Sequence, residues 1–413
     1  MEISAARQVR QDTVLLFSTR ILRLFCYGSV SVILALYLAQ VGLDEKQIGL
    51  LLTLTLAGDA AITLWLTTSA DRFGRKRTLI AGALLMLGAG LVFILTRNFI
   101  ILAAAAIIGV ISPSGNEIGP FLSIEQAALS QLLPDERRTH AFAWYALAGS
   151  LSTAAGALGG GWLAQSLIEG GMPALEAYHY ILGVYALGGL LLAVLFLSLS
   201  PRVEASVPVQ SSGMGRVLGL SHSRGVVLRL SALFAMDAFG GGLLVQAMMA
   251  YWFHVRYGVE PGVIGSIFFG ANILAGFSAL LAVRLAKRFG LINTMVFTHI
   301  PSNILLMLVP LMPSLGWAIA VLLARFSISQ MDVPTRQSYT MGVVAPEERS
   351  AAAGVTTIAR SVGAAISPML TGIFLASPAL LNVPFFASGA VKILYDLLLY
   401  RSFVRHRPPE EGG

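Results

Sequence analysis

The chain has 413 residues and a formal net charge of +7; 56% of the residues are hydrophobic and 12% are charged. Soluble domains carry about 25% charged residues, so this composition excludes a water-soluble fold. The positive charge does not indicate a nucleic-acid-binding protein, because the Lys and Arg residues lie in short loops beside long apolar segments, as in membrane proteins.

The apolar segments are twenty or more residues long, which allows a helix to cross about 30 Å of hydrocarbon. Lone strands are excluded because they would leave backbone groups unpaired in lipid. We therefore predict an all-α membrane protein with twelve transmembrane helices in two pseudo-symmetric six-helix bundles. The predicted spans are residues 14–40, 46–69, 78–96, 99–131, 141–166, 179–200, 227–253, 262–283, 293–312, 315–341, 351–376 and 381–401.

One long polar stretch, rich in Pro, Ser and Gly, separates the sixth predicted span from the seventh and has the composition of a linker. The predicted domains are residues 1–200, the linker 201–226 and residues 227–413. Loops on the linker side hold most of the basic residues, whereas the opposite loops hold Lys46, Arg97 and Arg256. This asymmetry predicts a multi-pass protein of the cell (inner) membrane with both termini and the linker in the cytoplasm.

Three short segments of the first half recur in the same order in the second half, displaced by 216 or 212 positions. The pairs are Gly42–Gly49 with Gly258–Gly265, Arg72–Gly74 with Arg288–Gly290, and Pro134–Arg137 with Pro346–Arg349. Ordered matches of this kind indicate a parallel repeat of six helices. Such a repeat is typical of a two-lobed transporter whose substrate site lies between the lobes near the bilayer midplane.

The loop after the second span reads Asp71-Arg72-Phe73-Gly74-Arg75-Lys76. It resembles the G-x-x-x-D-R-x-G-R-K loop of the major facilitator superfamily, with Thr67 in place of the leading Gly, and the resemblance covers nearly the whole chain. It implies alternating access without a cofactor. In that family the Asp engages the positive end of helix 11 and a neighbouring Arg, which holds the outward-facing state. The resemblance therefore implies a gating role for Asp71, Gly74 and Arg75, and the alternative is a basic turn that only anchors orientation.

A run of small residues in the fifth span, Gly156–Gly161, is similar to the G-P-x-x-G-G motif that accompanies antiporters of the same superfamily. Ala157 stands where that motif has Pro. Small residues at this spacing are also what a close helix pair requires. The run therefore favours either an antiporter or plain helix packing.

Ionisable side chains inside the spans need an explanation, since each costs on the order of 3 kcal/mol at the bilayer centre. They are Asp59, Glu117, Glu125, Asp237, Asp332 and Asp396 among the acids, and Arg20, Arg23, Arg325, Arg336, Arg360 and Lys392 among the bases. Two pairs have the four-residue spacing of neighbours on one helix face, Asp332 with Arg336 and Lys392 with Asp396. For these pairs we favour mutual neutralisation with a structural role.

Asp59 and Glu117 lie near the middle of their spans without a basic residue within one helical turn. Carboxyl groups in such surroundings can exchange protons when a cavity opens, so both are predicted proton-coupling residues, with protonated structural carboxyls as the alternative. The stretch Ser112–Pro120 contains two Pro and two Gly. Irregular backbone at membrane depth is tolerated where it lines a cavity, which indicates the transport path. The predicted cavity and substrate residues are Asn116, Arg325, Asp332, Arg23, Tyr27 and Trp144.

The sequence therefore predicts a secondary transporter, and not an enzyme, that exports a small organic solute in exchange for protons. Uptake by proton symport is the alternative within transport, and a membrane enzyme or a non-transporting receptor or regulator is the alternative of another class. No nucleotide-binding G-x-x-x-x-G-K-S/T motif occurs, and the six His residues lack metal-ligand spacing. The expected partners are a small-molecule substrate, protons and membrane lipid, without nucleic acid, metal or cofactor, and the expected state is a monomer.

Overall fold

The computed structural model describes residues 2–116, 119, 121–204, 223–345 and 348–404, and within these ranges the chain forms α-helices and short 3-10 turns but no strand. The helices of the first half are α1 (Glu2–Val41), α2 (Glu45–Phe73), α3 (Arg75–Leu95), α4 (Phe99–Ile108), α5 (Phe121–Leu132), α6 (Asp135–Glu169) and α7 (Ala174–Leu197). Those of the second half are α8 (Arg224–Gly242), α9 (Gln246–Tyr257), α10 (Pro261–Phe289), α11 (Leu291–Leu308), α12 (Leu315–Phe326), α13 (Asp332–Val343), α14 (Arg349–Leu375) and α15 (Val383–Phe403).

The all-α membrane fold with twelve spanning segments is confirmed. Among the described residues, nine helical segments are long and apolar enough to cross a membrane, and α4 and α12 are shorter apolar helices. Fifteen helices correspond to twelve segments because the fourth, seventh and tenth spans are each divided into two helices. Most of the predicted linker lies outside the described residues, and the division into bundles at residues 200 and 227 stays a prediction.

The three divided spans break at different kinds of sequence. The break between α4 and α5 falls on the stretch with two Pro and two Gly, where Gly115 and Gly119 have φ values of 69° and 78°. Only Gly adopts this left-handed conformation without strain, so irregular backbone at this point follows from the sequence. The α8–α9 break follows Gly240–Gly242, and the α12–α13 break spans residues 327–331; neither contains a Pro, and the sequence did not predict them.

The described chain divides into two compact units, the first of which comprises Met1–Asp44, Leu54–Gln210 and Gln246–Phe269. Its central feature is the close approach of α1 and α6. A Cβ atom on Gly28 would lie 2.1 Å from the carbonyl oxygen of Thr153, and one on Gly156 would lie 2.0 Å from that of Phe25. Gly156 therefore contributes to close helix packing, one of the two roles that its motif predicts.

The second unit comprises Glu45–Thr53, Ser211–Val245 and Gly270–Gly413. Here α8 and α14 approach each other as α1 and α6 do in the first unit. A Cβ atom on Gly363 would lie 2.2 Å from the carbonyl oxygen of Ala235, and one on Gly242 would lie 2.5 Å from that of Ala364. The same small-residue packing thus builds the core of each unit.

Two glycines of α14 provide a test of this packing. We expect Gly363→Ala to lower the free energy of unfolding by roughly 1–3 kcal/mol, because the added methyl group overlaps a backbone oxygen of α8. Gly354→Ala is the matched control, since nothing lies within 4 Å of its would-be Cβ atom, and replacing Gly by Ala in a helix stabilises it by up to about 1 kcal/mol. Thermal unfolding of the purified variants in detergent measures both. Equal melting temperatures for the two variants would contradict the proposed contact.

Candidate functional site

The break between α4 and α5 is held by hydrogen bonds within the first unit. The Oγ of Ser112 donates to the carbonyl oxygen of Asn116 (2.8 Å), and the Oγ1 of Thr153 donates to that of Gly115 (3.2 Å). The backbone N–H of Ala247 in α9 donates to the carbonyl oxygen of Pro113 at 2.9 Å. Backbone groups released by the break therefore find partners, which makes irregular backbone tolerable at membrane depth.

Asp59, a predicted proton-coupling residue, is half-buried and supports this break. Its Oδ1 accepts a hydrogen bond from the backbone N–H of Gly119 at 2.6 Å and another from Thr63 Oγ1 at 3.2 Å. Glu117, the second predicted coupling residue, lies outside the described residues. Asn116 is exposed. Asp59 therefore contacts this break and Asn116 belongs to it, and the predicted roles of both residues stay predictions.

The loop after α2 has partners that the sequence did not predict. Gly74 has φ 96° and begins α3 without a side-chain cap of its own. The carboxylate of Glu204, beyond the sixth span, accepts the first backbone N–H groups of α3, from Arg75 (2.6 Å) and Lys76 (3.3 Å). Negative charge is favourable at a helix N-terminus. Glu204 thus serves as the missing cap of α3.

The predicted gating residues Asp71, Gly74 and Arg75 occupy this same loop. The Nη1 of Arg75 donates to Gln131 Oε1 at 3.0 Å, at the end of α5. The side chain of Asp71 lies outside the described part of the chain. The gating role of the three residues stays a prediction.

A buried ion pair joins α1 to α5 in the first unit. Arg23 donates to both oxygens of Glu125, with Nη1–Oε1 at 2.9 Å and Nη2–Oε2 at 2.7 Å, and both side chains are 0% exposed. The carboxylate also accepts hydrogen bonds from Thr19 Oγ1 at 3.0 Å and from the hydroxyl of Tyr145. Phe121 covers the Arg23 guanidinium at 4.4 Å. Arg23, predicted as a cavity residue, is therefore enclosed by protein groups.

Two aromatic residues predicted to line the cavity differ in their surroundings. Tyr27 is fully buried in α1, with its ring 6.4 Å from that of Tyr185. Trp144 lies on the exposed side of α6, and its indole N–H donates to His140 at 3.2 Å. The two residues therefore do not share one surface, and their cavity role stays a prediction.

In the second unit, Asp237 of α8 lies at the centre of a buried ionic network, and three cations from three other helices surround it. Its Oδ1 lies 2.7 Å from Lys392 Nζ, and its Oδ2 lies 3.1 Å from Arg336 Nη1 and 3.2 Å from Arg360 Nη1. Arg336 also pairs with Asp332 at 2.8 Å, as the four-residue spacing predicts. Asp332, predicted as a cavity residue, is thus part of this network.

His299 of α11 extends the network to Asp396. Its Nδ1 lies 2.9 Å from Asp396 Oδ1, and its Nε2 lies 3.8 Å from Asp237 Oδ1. Asn303 donates to Asp396 Oδ2 at 3.4 Å. Lys392 and Asp396 were predicted to neutralise each other, but Lys392 pairs with Asp237 and Asp396 with His299. That prediction considered one helix, whereas in the structure partners on other helices lie closer.

The network balances its charges without histidine. Three carboxylates (Asp237, Asp332 and Asp396) face three permanent cations (Arg336, Arg360 and Lys392), and all but Arg360 are nearly inaccessible to solvent. Arg360 has a side chain 34% exposed, so this cation is the most exposed member of the network. Sequence reasoning missed His299, although an ionisable side chain inside an apolar helix was a usable signal. Among the described residues no group of three or more His, Cys, Asp or Glu is arranged to hold a metal ion.

Comparisons with known proteins agree with this architecture. A Saccharomyces cerevisiae protein described as "Uncharacterized membrane protein YJR124C" is 30% identical over 423 residues, covering 95% of this chain and 94% of the yeast protein.

Solved transporter structures share the fold at low sequence identity. A bacterial homologue of the human lysosomal transporter Spinster, in an inward-facing and occupied conformation, has a TM-score of 0.72 at 17% identity, covering 96% of this chain and 97% of the homologue. The nucleoside transporter NupG has a TM-score of 0.71 at 14% identity, with 95% and 98% covered. The D-xylose-proton symporter has 0.70 at 15% identity, with 97% and 99% covered. At these identities the likeness shows the fold alone.

The family itself is shown by the sequence. The profile of the Major Facilitator Superfamily matches residues 16–368, which is most of the chain. Together with the twelve-segment helical fold, this match identifies the chain as a membrane transporter that belongs to the Major Facilitator Superfamily.

Proposed function

We propose that this transporter exports a small organic solute by alternating access in exchange for protons, that one chain is a complete transport unit, and that His299 is the group that binds the coupled proton. The observation that carries the proposal is the position of His299 between the carboxylates of Asp396 and Asp237 in a network that is otherwise neutral. Histidine is the side chain whose charge changes most readily near physiological pH.

The chemistry of the network supports a switch. A proton bound to His299 adds one positive charge to a balanced and buried set of ions, which strengthens the contact with Asp396. The protonated ring also competes with Lys392 for Asp237, because both lie against the same Oδ1 atom. Protonation therefore favours a different arrangement of α8, α11 and α15, and a coupled transporter needs such a differential effect on its conformations.

Other charged groups around His299 bear on this switch. Within the described part of the second unit, α8 contributes Asp237, α13 contributes Asp332 and Arg336, α14 contributes Arg360, and α15 contributes Lys392 and Asp396. Arg360 is the most exposed of the ion-paired residues, with a side chain that is 34% exposed, and the route that we propose for proton exchange passes beside this permanent cation to Asp237. The route and the switch therefore share one carboxylate, Asp237.

Asp59 is the second candidate for the coupling site. It is half-buried and tied to the irregular backbone between α4 and α5 through Gly119, and such backbone is a common feature of transport paths. Protonation of Asp59 would weaken the hydrogen bond that it accepts from Gly119. Asp59, with Glu117, is therefore proposed as an alternative proton-binding pair, to be compared with His299 in the same assay.

Proteoliposomes with an imposed pH gradient test the proposal, using a solute whose cellular amount changes on overproduction of the protein. For one-to-one exchange with protons, we expect about tenfold solute accumulation in the more acidic compartment per pH unit. In His299→Gln this driven accumulation should fall to background, whereas solute exchange without a gradient persists. His254→Gln is the control, because His254 contacts a carbonyl oxygen outside the network.

Three results would argue against parts of the proposal. Accumulation in the more alkaline compartment would indicate uptake by proton symport and refute export. If the accumulation driven by the pH gradient is undiminished in His299→Gln but lost in Asp59→Asn, the proton-binding residue is Asp59 in the first unit and not His299. Flux that ignores the pH gradient in the unsubstituted protein would refute proton coupling altogether.

A further inference from the structure

Arg325 is a further cation within the spans of the second unit, and it does not take part in the ionic network around Asp237. Within the described part of the chain its guanidinium makes no hydrogen bond or ion pair, and its Nε is buried without a partner. The carboxylate whose charge acts on it is Asp332, which is already paired with Arg336 at 2.8 Å. Arg325 therefore has no ion-pair partner of its own among the described residues.

The position of Arg325 on α12 excludes a lipid-facing side chain. Arg325 shares a helix face with Ala318 and Leu322, both of which are fully buried. The opposite face carries the exposed residues Trp317 and Ala324. Helix neighbours three and four residues apart lie on one side, so Arg325 points into the protein. The residue as a whole is partly exposed, so part of Arg325 remains accessible on this inward-facing side of α12.

The depth of Arg325 makes a charge without an ion-pair partner among the described residues unusual. Arg325 follows the first residue of α12, Leu315, by ten positions, which at 1.5 Å per residue is roughly 15 Å along the axis. This is about half of the 30 Å hydrocarbon thickness. Ionisable residues at such depth generally face a water-filled cavity or a partner and mark a substrate or ion path.

Nearby protein groups compensate Arg325 only in part. The ring of Phe326 lies 4.7 Å from the guanidinium carbon, and Arg325 lies in the last turn of α12, where the helix dipole favours a cation. Neither effect supplies acceptors for the five N–H donors of a guanidinium. A carboxylate or phosphate group fits this need, because its two oxygens accept a bidentate pair of hydrogen bonds.

We propose that Arg325 is the anchor for the transported solute and that the solute is a small organic anion bearing a carboxylate or phosphate group. This assignment rests on the transport function of the chain and adds the charge class of the substrate. It does not depend on the proton-binding role of His299. The anion neutralises Arg325 when it binds, so that Arg325 no longer adds an unpaired charge beside the balanced ionic network of Asp237, Asp332, Asp396, Arg336, Arg360 and Lys392.

The first experiment compares cells that overproduce the unsubstituted protein, Arg325→Gln, Arg325→Lys or Arg284→Gln. Untargeted mass spectrometry of cells and medium identifies the solutes whose amounts change. We expect these solutes to be anionic at neutral pH, and the change to disappear in Arg325→Gln. Arg284→Gln is the matched control, because it removes a guanidinium from an exposed position of α10; we expect it to behave like the unsubstituted protein.

The second experiment measures flux of each identified anion into membrane vesicles, beside its uncharged methyl ester or dephosphorylated counterpart. Arg325→Gln should reduce flux of the anion at least about tenfold, as expected for loss of a charged hydrogen-bond partner. Arg325→Lys should give an intermediate value because Lys keeps the charge without the bidentate geometry. Flux of the uncharged counterpart should be low and should not change on substitution.

A stability measurement separates an anion anchor from a structural role. Removing an uncompensated charge should leave the melting temperature of Arg325→Gln unchanged or higher in detergent, and a lower melting temperature would overturn the assignment. Neutral or cationic solutes in the first experiment would also overturn it, as would anion flux that Arg325→Gln leaves intact. Anion flux that depends on Arg325 but ignores a pH gradient would refute proton coupling and leave this inference standing.

Discussion

Replacing Asp237 by Asn is expected to lower the free energy of unfolding by about 3–5 kcal/mol, because it leaves buried cations without their carboxylate. Lys392, Arg336 and Arg360 all lie within 3.2 Å of Asp237. The net stabilisation of a domain is commonly only 5–15 kcal/mol, so little folded protein should remain at 37 °C. The yield of monodisperse protein and its melting temperature in detergent measure the effect.

Two further variants show whether the charge imbalance is the cause. The double variant Asp237→Asn with Lys392→Gln removes one cation together with the carboxylate, and we expect it to recover part of the lost stability. Glu176→Gln removes a carboxylate from the exposed first turn of α7 and should change stability by at most about 1 kcal/mol. A loss below about 1 kcal/mol in Asp237→Asn would show that Asp237 is not the centre of the network.

Much of this network was foreseeable as a set of residues but not as a set of contacts. Each ionisable residue in a predicted span was identifiable because lipid disfavours its charge. Its partner was identifiable only on the same helix, as with Asp332 and Arg336. The partners of Asp237 lie 99, 123 and 155 positions away in sequence. Contacts at that separation depend on which helix faces meet, and hydropathy does not specify the faces.

The fold shows the same limit at the level of the backbone. Segment length and hydropathy predict twelve spans, because the bilayer fixes how long an apolar helix must be. The break between α4 and α5 was also predictable, since Pro and left-handed Gly interrupt a helix. The α12–α13 break at residues 327–331 contains neither Pro nor Gly, and residue types such as its Ser327 and Gln330 also occur inside helices. In the second unit, the backbone N–H of Gln330 is held instead by Ser278 of α10, at 3.2 Å, a contact that only the packed structure reveals.

For the candidate site, the structure adds contacts that the sequence could not show for two residues, Asp59 and Arg325. Asp59 was singled out because no base lies near it in sequence, and in the structure its carboxylate is engaged by a backbone N–H at 2.6 Å. Arg325 was predicted as a cavity and substrate residue, and its distinguishing feature in the structure is that no counter-ion pairs with it among the described residues. A residue without a partner can be recognised only when the surrounding groups have been paired with one another.

The buried pair Arg23–Glu125 provides the second large expected effect. Glu125→Leu should lower the free energy of unfolding by about 3–5 kcal/mol, because it leaves the fully buried Arg23 without its bidentate partner. Arg23→Met should cost a similar amount for the converse reason. In the double variant Arg23→Met with Glu125→Leu no unpaired charge remains, and we expect a loss at least about 2 kcal/mol smaller than the sum of the single losses. Unfolding in mixed detergent and SDS micelles measures all three.

The same double variant distinguishes an architectural pair from a substrate site. Thr19 and Tyr145 donate to the carboxylate and Phe121 covers the guanidinium, and both side chains are 0% exposed, so the pair presents no open face to a solute. If the pair is architectural, the double variant should transport at a rate within about threefold of the unsubstituted protein per folded molecule, since apolar replacements of a buried pair preserve packing. A residue needed only for stability becomes dispensable for transport once stability is regained. Loss of transport in a well-folded double variant would therefore support the predicted role of Arg23 as a cavity residue.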